Sequence, residues 1–148
     1  SALMVSLFAV FNGLGRFFFG GFYDKYGRLP TMTIFGIFFT IASIVLWIGV
    51  TNLSSVLIII SFVFYGLAYG GVTPTNANFA RSYFGNKNYA TNFSVVNFNL
   101  LLSVFLGQYI GSTLYMKTGG FAATAIALTV LSVISLIMQF FITKQPEK

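Results

Sequence analysis

The sequence predicts an all-α, polytopic membrane protein with five transmembrane helices and no soluble domain. Of its 148 residues, 57% are hydrophobic and only 7% are charged, whereas a soluble domain carries about 25% charged residues. The apolar residues are gathered in long runs, each close to the roughly 20 residues that a helix needs to cross a bilayer. The runs do not alternate between polar and apolar residues as the strands of a membrane barrel do.

The five runs are separated by short polar segments. They cover residues of about 2–22, 31–50, 55–79, 93–115 and 121–142. The first ends in the charged turn "YDKYGRLP", and the second contains no charge and stops at "TNLS". The third contains Pro74, which we expect to kink it. Connections this short predict that neighbouring helices are antiparallel.

The basic residues predict the orientation of the chain. Six of the eight lie in the first connection, the third connection and the C-terminal tail: Lys25, Arg28, Arg81, Lys87, Lys144 and Lys148. By the positive-inside rule these three segments, including the C-terminus, are cytoplasmic. The chain then enters the membrane from outside, so we expect at least one further helix upstream. We expect an integral protein of the plasma (cell) membrane.

Several classes of function are excluded by the residue types present. The net charge of +6 is scattered between apolar runs and is not clustered on a wet surface, so we expect no nucleic-acid partner. There is no cysteine or histidine, which excludes disulfides and the usual zinc sites. The only acids, Asp24 and Glu147, lie outside the runs, so a membrane-embedded enzyme would lack its acid and base. We expect no cofactor and no catalysis.

Polar residues inside the apolar runs form stripes at helical spacing. The stripes are Asn12 and Arg16 in the first helix, Tyr65, Tyr69, Thr73 and Asn76 in the third, and Asn92, Asn99, Ser103 and Gly107 in the fourth. Because each polar group is costly in lipid, we expect helices one, three and four to line a polar space. Hydrogen bonding between helices is the alternative reading of each stripe. The second and fifth helices are expected to be outer supports.

Pairs of small residues four apart predict close helix packing. These pairs are Ala9 and Gly13, Gly66 and Gly70, and Gly107 and Gly111.

The segment "GGFYDKYGR" resembles the signature of the major facilitator superfamily. The matching residues are Gly20, Asp24, Lys25, Gly27 and Arg28. In that family the signature follows the second helix of each six-helix half and latches the cytoplasmic gate. Gly20 would allow close packing, and Gly27 would allow a turn with positive φ. Asp24 would accept hydrogen bonds from a helix N-terminus or a basic side chain.

The resemblance extends along the whole chain. The five runs correspond to helices 8–12, or alternatively 2–6, of a twelve-helix carrier, so residues 1–148 would be part of its C-terminal half. The segments "NGLGRFFFGGFYDKYGR" and "YFGNKNYATNFSVVNFN" are similar to the oxalate/formate antiporters and monocarboxylate transporters. This likeness implies a small carboxylate anion as substrate, carried by exchange or with a proton. The implied partners are the lipid bilayer and the N-terminal half of the same carrier.

Arg16 is the residue on which the carboxylate interpretation depends. Monocarboxylate carriers have an arginine in the eighth helix and an aspartate one turn earlier; Arg16 matches the arginine, but Asn12 replaces the aspartate. The oxalate group has a lysine in the eleventh helix, and Asn99 stands near that position here. The candidate substrate-binding residues are Arg16, Asn12, Tyr65, Tyr69, Asn76 and Asn99. The alternatives are an Arg16 that only snorkels toward the cytoplasm, a carrier for a sugar, drug or other solute, and a membrane scaffold that transports nothing.

Overall fold

The structure is a computed structural model that describes residues 2–85 and 87–141, and five α-helices account for nearly all of them. The helices are α1 (Ala2–Tyr26), α2 (Arg28–Thr51), α3 (Ser55–Phe84), α4 (Tyr89–Thr118) and α5 (Ala122–Phe141). All five are long and apolar enough to cross a membrane. The predicted fold class is therefore confirmed. The basic tail with Lys144 and Lys148, and residue 142 at the end of the last apolar run, lie outside the described residues.

The helices run further than the apolar segments that predicted them. α1 ends at Tyr26 and α2 begins at Arg28, so Gly27 alone separates them. α3 remains helical through Pro74 and ends at Phe84. Hydropathy detects only the apolar middle of a helix, whereas the backbone hydrogen bonding continues into polar residues at its ends. The resulting short connections make sequential helices antiparallel.

The third helix is the centre of the bundle. α3 packs extensively against α1 and α2, and α2 packs against α5. α4 contacts α3 and α5 only lightly, and none of its described residues is buried. The chain therefore forms a packed group of four helices with α4 at its side.

A buried core lies where α1, α2 and α3 meet at Phe19. Its side chain is fully buried, and its ring meets those of Phe35 and Phe38 edge to face, with centroids 6.0 Å apart in both pairs. On α3, a Cβ added to Gly71 would lie 2.9 Å from the Phe19 ring. Because Gly71 has no side chain, the Phe19 ring has room to pack there, and it joins this part of α1 to α2 and α3.

Candidate functional site

Two glycines bring the backbones of α1 and α3 into direct contact beside Arg16. A Cβ added to Gly70 of α3 would overlap the carbonyl oxygen of Asn12 and lie 2.9 Å from the backbone nitrogen of Arg16. On the other helix, a Cβ added to Gly15 would overlap the carbonyl oxygen of Leu67. Only glycine allows this approach, as in other small-residue contacts between membrane helices. The segment from Asn12 to Arg16 is therefore held rigidly against α3.

The predicted pairs of small residues differ in how closely another helix approaches them. Gly66 joins Gly70 in the α1–α3 contact, since its added Cβ would lie 2.8 Å from the carbonyl oxygen of Phe8. No described helix approaches Gly13 or Gly107, because an added Cβ would meet no described group within 4 Å, so close packing at these two positions stays a prediction. A spacing of four places two residues on one face but does not say which face another helix covers.

The side chains of Arg16 and Asn12 are covered to different extents by the described helices. The Arg16 side chain is exposed, so no described helix covers it. Asn12 is half-buried, and its Oδ1 atom is buried without a hydrogen-bond partner in the described part of the chain. Buried amide oxygens are nearly always hydrogen-bonded. One turn of α1 therefore carries an uncovered cation and an unused acceptor.

The polar stripe of α3 does not face a single space. The Tyr65 hydroxyl shares a 2.7 Å hydrogen bond with the Ser43 hydroxyl of α2. The Tyr69 ring packs against Phe8 of α1 at 5.8 Å between centroids and is 38% exposed. Asn76 donates through Nδ2 to Oδ1 of Asn97 on α4 at 3.4 Å. The structure therefore directs the three side chains toward three different helices.

Asn99 lies on the open side of α4. It is exposed, and its carbonyl oxygen accepts a 2.8 Å hydrogen bond from the Ser103 hydroxyl one turn later. The structure thus ties Asn76 to α4 through Asn97, not through the predicted stripe that contains Asn99. Asn97 was not predicted from the sequence because it lies two residues before Asn99 and therefore falls outside the helical stripe that contains Asn99.

The signature-like segment forms the tight connection between α1 and α2. Gly27 has φ of 79°, which confirms the predicted positive φ, and its carbonyl oxygen accepts a 2.6 Å hydrogen bond from Thr31. Gly20 faces Pro74 of α3, where an added Cβ would make ordinary contact at 3.9 Å. Asp24 is exposed, and within residues 2–85 and 87–141 the N-cap of α2, Gly27, has no side-chain capping hydrogen bond. Asp24 is thus available to groups beyond the described helices.

Arg28 anchors this connection to the end of α3. Its Nη1 atom donates a 2.7 Å hydrogen bond to the Tyr83 hydroxyl, and its guanidinium lies 5.3 Å from the centroid of the Tyr83 ring. The Arg28 residue is only 9% exposed. Tyr83 was not predicted from the sequence, since nothing in its local pattern separates it from other tyrosines at helix ends. Lys25, in contrast, is exposed and lies 5.2 Å from the ring of Tyr26.

A cavity of about 700 Å³ lies between α2, α3 and α5, apart from Arg16. Its lining is mostly apolar, with Ser43, Tyr65 and Gln139 among its polar members. Gln139 is 9% exposed, and its Nε2 atom has no hydrogen-bond partner among the described residues. Neither Arg16 nor Asn12 lines this cavity. Tyr65 therefore faces this cavity and lies apart from the turn of α1 that contains Arg16.

The full length of the chain matches a known protein family. The sequence model of the Major Facilitator Superfamily matches residues 1–148, the full length of the chain. No curated protein and no solved structure matches. The match agrees with the five apolar helices and with the glycine turn and buried arginine of the "GGFYDKYGR" segment. The chain belongs to the major facilitator superfamily, whose members are membrane transporters.

Proposed function

We propose that the chain is part of a secondary active transporter that moves a small carboxylate anion by alternating access. The observation that carries this proposal is the placement of Arg16, whose side chain is uncovered while its backbone is pressed against Gly70. An arginine within a membrane helix costs about 2.5–3.5 kcal/mol on insertion scales. Such a side chain is best accommodated facing a polar cavity, so the uncovered side of α1 is proposed to face the substrate pathway.

The charge balance supports a carboxylate as the partner of Arg16. Asp24 is the only acid in residues 2–141, and it lies roughly 12 Å further along α1 at 1.5 Å per residue. The described part of the chain therefore has no carboxylate at the level of Arg16. A guanidinium binds a carboxylate through two parallel hydrogen bonds, which a point charge cannot do. A substrate carboxylate would supply both the charge and the geometry.

Asn12 is proposed to assist Arg16 from one turn away. Residues four apart lie on the same helix face, and the amide of Asn12 can donate a hydrogen bond to a second group on the substrate. Tyr69, which packs on α1, and Asn76, which bonds to α4, are proposed to line separate walls of this pathway, together with the exposed Asn99. For Tyr65 the bond to Ser43 supports a structural contribution, since its hydroxyl is already engaged.

Exchange of one anion for another fits this arrangement. When the site is empty, Arg16 has no bound anion, and moving an unpaired cation between the two states is costly. Asn12 cannot ionise, so the turn that binds the substrate would contribute no coupling proton. Loading with a second anion would then be needed for the return step.

A carrier for a neutral, hydroxylated solute is the second candidate. It is favoured by the amides of Asn76, Asn97 and Asn99 on α3 and α4, and by the absence of lysine from residues 93–115. Amides donate and accept hydrogen bonds, which suits sugar hydroxyls.

Uptake by the full-length carrier in proteoliposomes tests the proposal. Labelled formate, lactate, oxalate and glucose are compared, in vesicles either empty or preloaded with the unlabelled compound. We expect saturable uptake of a carboxylate, faster after preloading. Uptake of glucose without any carboxylate would support the second candidate, and no uptake of any solute would favour a scaffold.

A further inference from the structure

We propose that the end of the bundle carrying the α1–α2 and α3–α4 connections binds the anionic headgroups of membrane phospholipids. The binding residues are Lys25, Arg81 and Lys87, which we call the basic rim. All three side chains are exposed. Two of them, Arg81 and Lys87, lie outside the "GGFYDKYGR" segment, so this inference is independent of the proposed substrate and of the gate.

The basic rim is assembled by the bond between Arg28 and Tyr83. This bond joins the first residue of α2 to the last turn of α3, at 2.7 Å. Lys25 lies in the last turn of α1, just before Arg28, and Arg81 lies in the last turn of α3, just before Tyr83. Lys87 follows in the connection to α4. Cations that are distant in sequence thus come to one end of the bundle.

The positive charge of the basic rim exceeds what the described chain can neutralise. Asp24 is the only acid in residues 2–141, and one carboxylate balances one cation. Arg28 is itself buried at this end and uses the Tyr83 hydroxyl as an acceptor. The basic rim can therefore attract anions from outside the described helices, and the phosphates of the adjacent leaflet are the nearest dense source.

Large apolar side chains beside the basic rim favour a lipid over a soluble anion. Tyr26 is 52% exposed, Leu29 is 41% exposed and Phe84 is 55% exposed, all at the same end of the bundle. Aromatic residues are favoured at the level of the headgroups, where one side of the ring is apolar and the other is wet. Cations next to uncovered apolar groups match a molecule with an anionic head and an acyl tail.

Lipid binding to the full-length carrier provides the test. The probe is phosphatidylglycerol, with phosphatidylcholine for comparison, and bound lipid is counted by native mass spectrometry of the detergent-solubilised protein. Each surface cation contributes about five-fold to binding of anionic lipid. We therefore expect Arg81→Gln with Lys87→Gln to weaken phosphatidylglycerol binding about 25-fold and to leave phosphatidylcholine binding unchanged. Lys87→Gln alone, within a connection where folding is not at risk, should give about a five-fold loss.

Lys117 offers a matched control, because it is an exposed cation near the opposite end of the bundle. Lys117→Gln should leave phosphatidylglycerol binding within two-fold of the unaltered protein. An equal loss in Lys117→Gln would mean that only net charge matters and would overturn the proposal. Undiminished binding in both Lys87→Gln and the double variant would also overturn it. Competition by millimolar inorganic phosphate would assign the basic rim to a free anion and not to lipid.

Discussion

Arg28 and Tyr83 join the turn between α1 and α2 to the end of α3, through a hydrogen bond of 2.7 Å and a guanidinium placed 5.3 Å from the ring centroid. A hydrogen bond to a charged group contributes about 1.5–3 kcal/mol when it is sheltered from water. Since Arg28 is 9% exposed, this contact is sheltered. It makes the buried cation of the signature-like segment a structural anchor within this group of helices.

Tyr83→Phe removes the acceptor hydroxyl and keeps the ring. We expect the free energy of unfolding to fall by about 1–2 kcal/mol, because Arg28 retains its stacking but loses a charged hydrogen bond. Thermal unfolding in detergent, followed by the fluorescence of the single tryptophan, Trp47, measures the change. Tyr26→Phe is the matched control, since Tyr26 is 52% exposed and should shift stability by less than about 0.5 kcal/mol. Equal effects of the two substitutions would contradict the anchor.

The features that could be predicted from the sequence are those set locally. Helix number follows from apolar runs, and the positive φ of Gly27 follows from a glycine between charged residues at the end of such a run.

The features that could not be predicted depend on which faces meet. Helical spacing placed Tyr65 with Tyr69, yet Tyr65 turns to Ser43 on α2 because α3 lies between α1 and α2. Likewise Gly15 and Gly70 form the close contact although Gly15 belongs to no pair spaced by four, because a crossing of two helices selects one point on each. These choices need the relative positions of helices, which a single sequence does not contain.

Gly70→Ala tests the contact that holds Arg16. The added Cβ would overlap the carbonyl oxygen of Asn12 and lie 2.9 Å from the nitrogen of Arg16, and both are backbone atoms that cannot turn aside. We expect α1 and α3 to separate, with a loss of about 1–3 kcal/mol in stability and a larger loss in transport. Gly13→Ala adds the same atom where nothing lies within 4 Å and should be tolerated. Full activity of Gly70→Ala would show that the helices do not cross as described.

Topology can be read with single cysteines, since the chain contains none. Cysteines at Asn52 and Thr118 should react with an impermeant reagent added to intact cells, because the second and fourth connections are predicted to be outside. A cysteine at Asn88 should react only after the cells are opened. All three positions are exposed, so access to the chain itself does not limit labelling. Labelling of Asn88 in intact cells would reverse the predicted orientation.

Asp24→Ala tests the gate implied by the signature-like segment. The Asp24 side chain is exposed and caps no described helix, so its removal should cost this group of helices little stability. We nevertheless expect transport to fall at least ten-fold, because the latch that favours the state closed to the cytoplasm is lost. Transport and thermal unfolding are measured on the same preparation. An unchanged transport rate would leave the segment without a gating contribution in this carrier.

Arg16→Lys tests direct pairing with a substrate carboxylate. Lysine keeps the charge but loses the planar fork that makes two parallel hydrogen bonds. A charged hydrogen bond contributes about 1.5–3 kcal/mol, so we expect carboxylate affinity to weaken by about ten- to a hundred-fold. Because Arg16 is exposed and its backbone contact with Gly70 is unaffected by the side chain, the variant should insert and unfold like the unaltered protein.

Asn12→Asp and Arg16→Ala complete the series on this turn. An aspartate one turn before Arg16 would neutralise the cation in the empty site and could take up a proton with the substrate, so transport should become dependent on pH. Asparagine does not ionise, so in the unaltered protein we expect position 12 to add no pH dependence to transport. Transport by each variant is measured between pH 5 and 8 with equal protein in the vesicles. If Arg16→Ala carries carboxylates at the unaltered rate, Arg16 only snorkels, and the anion proposal loses the observation on which it rests.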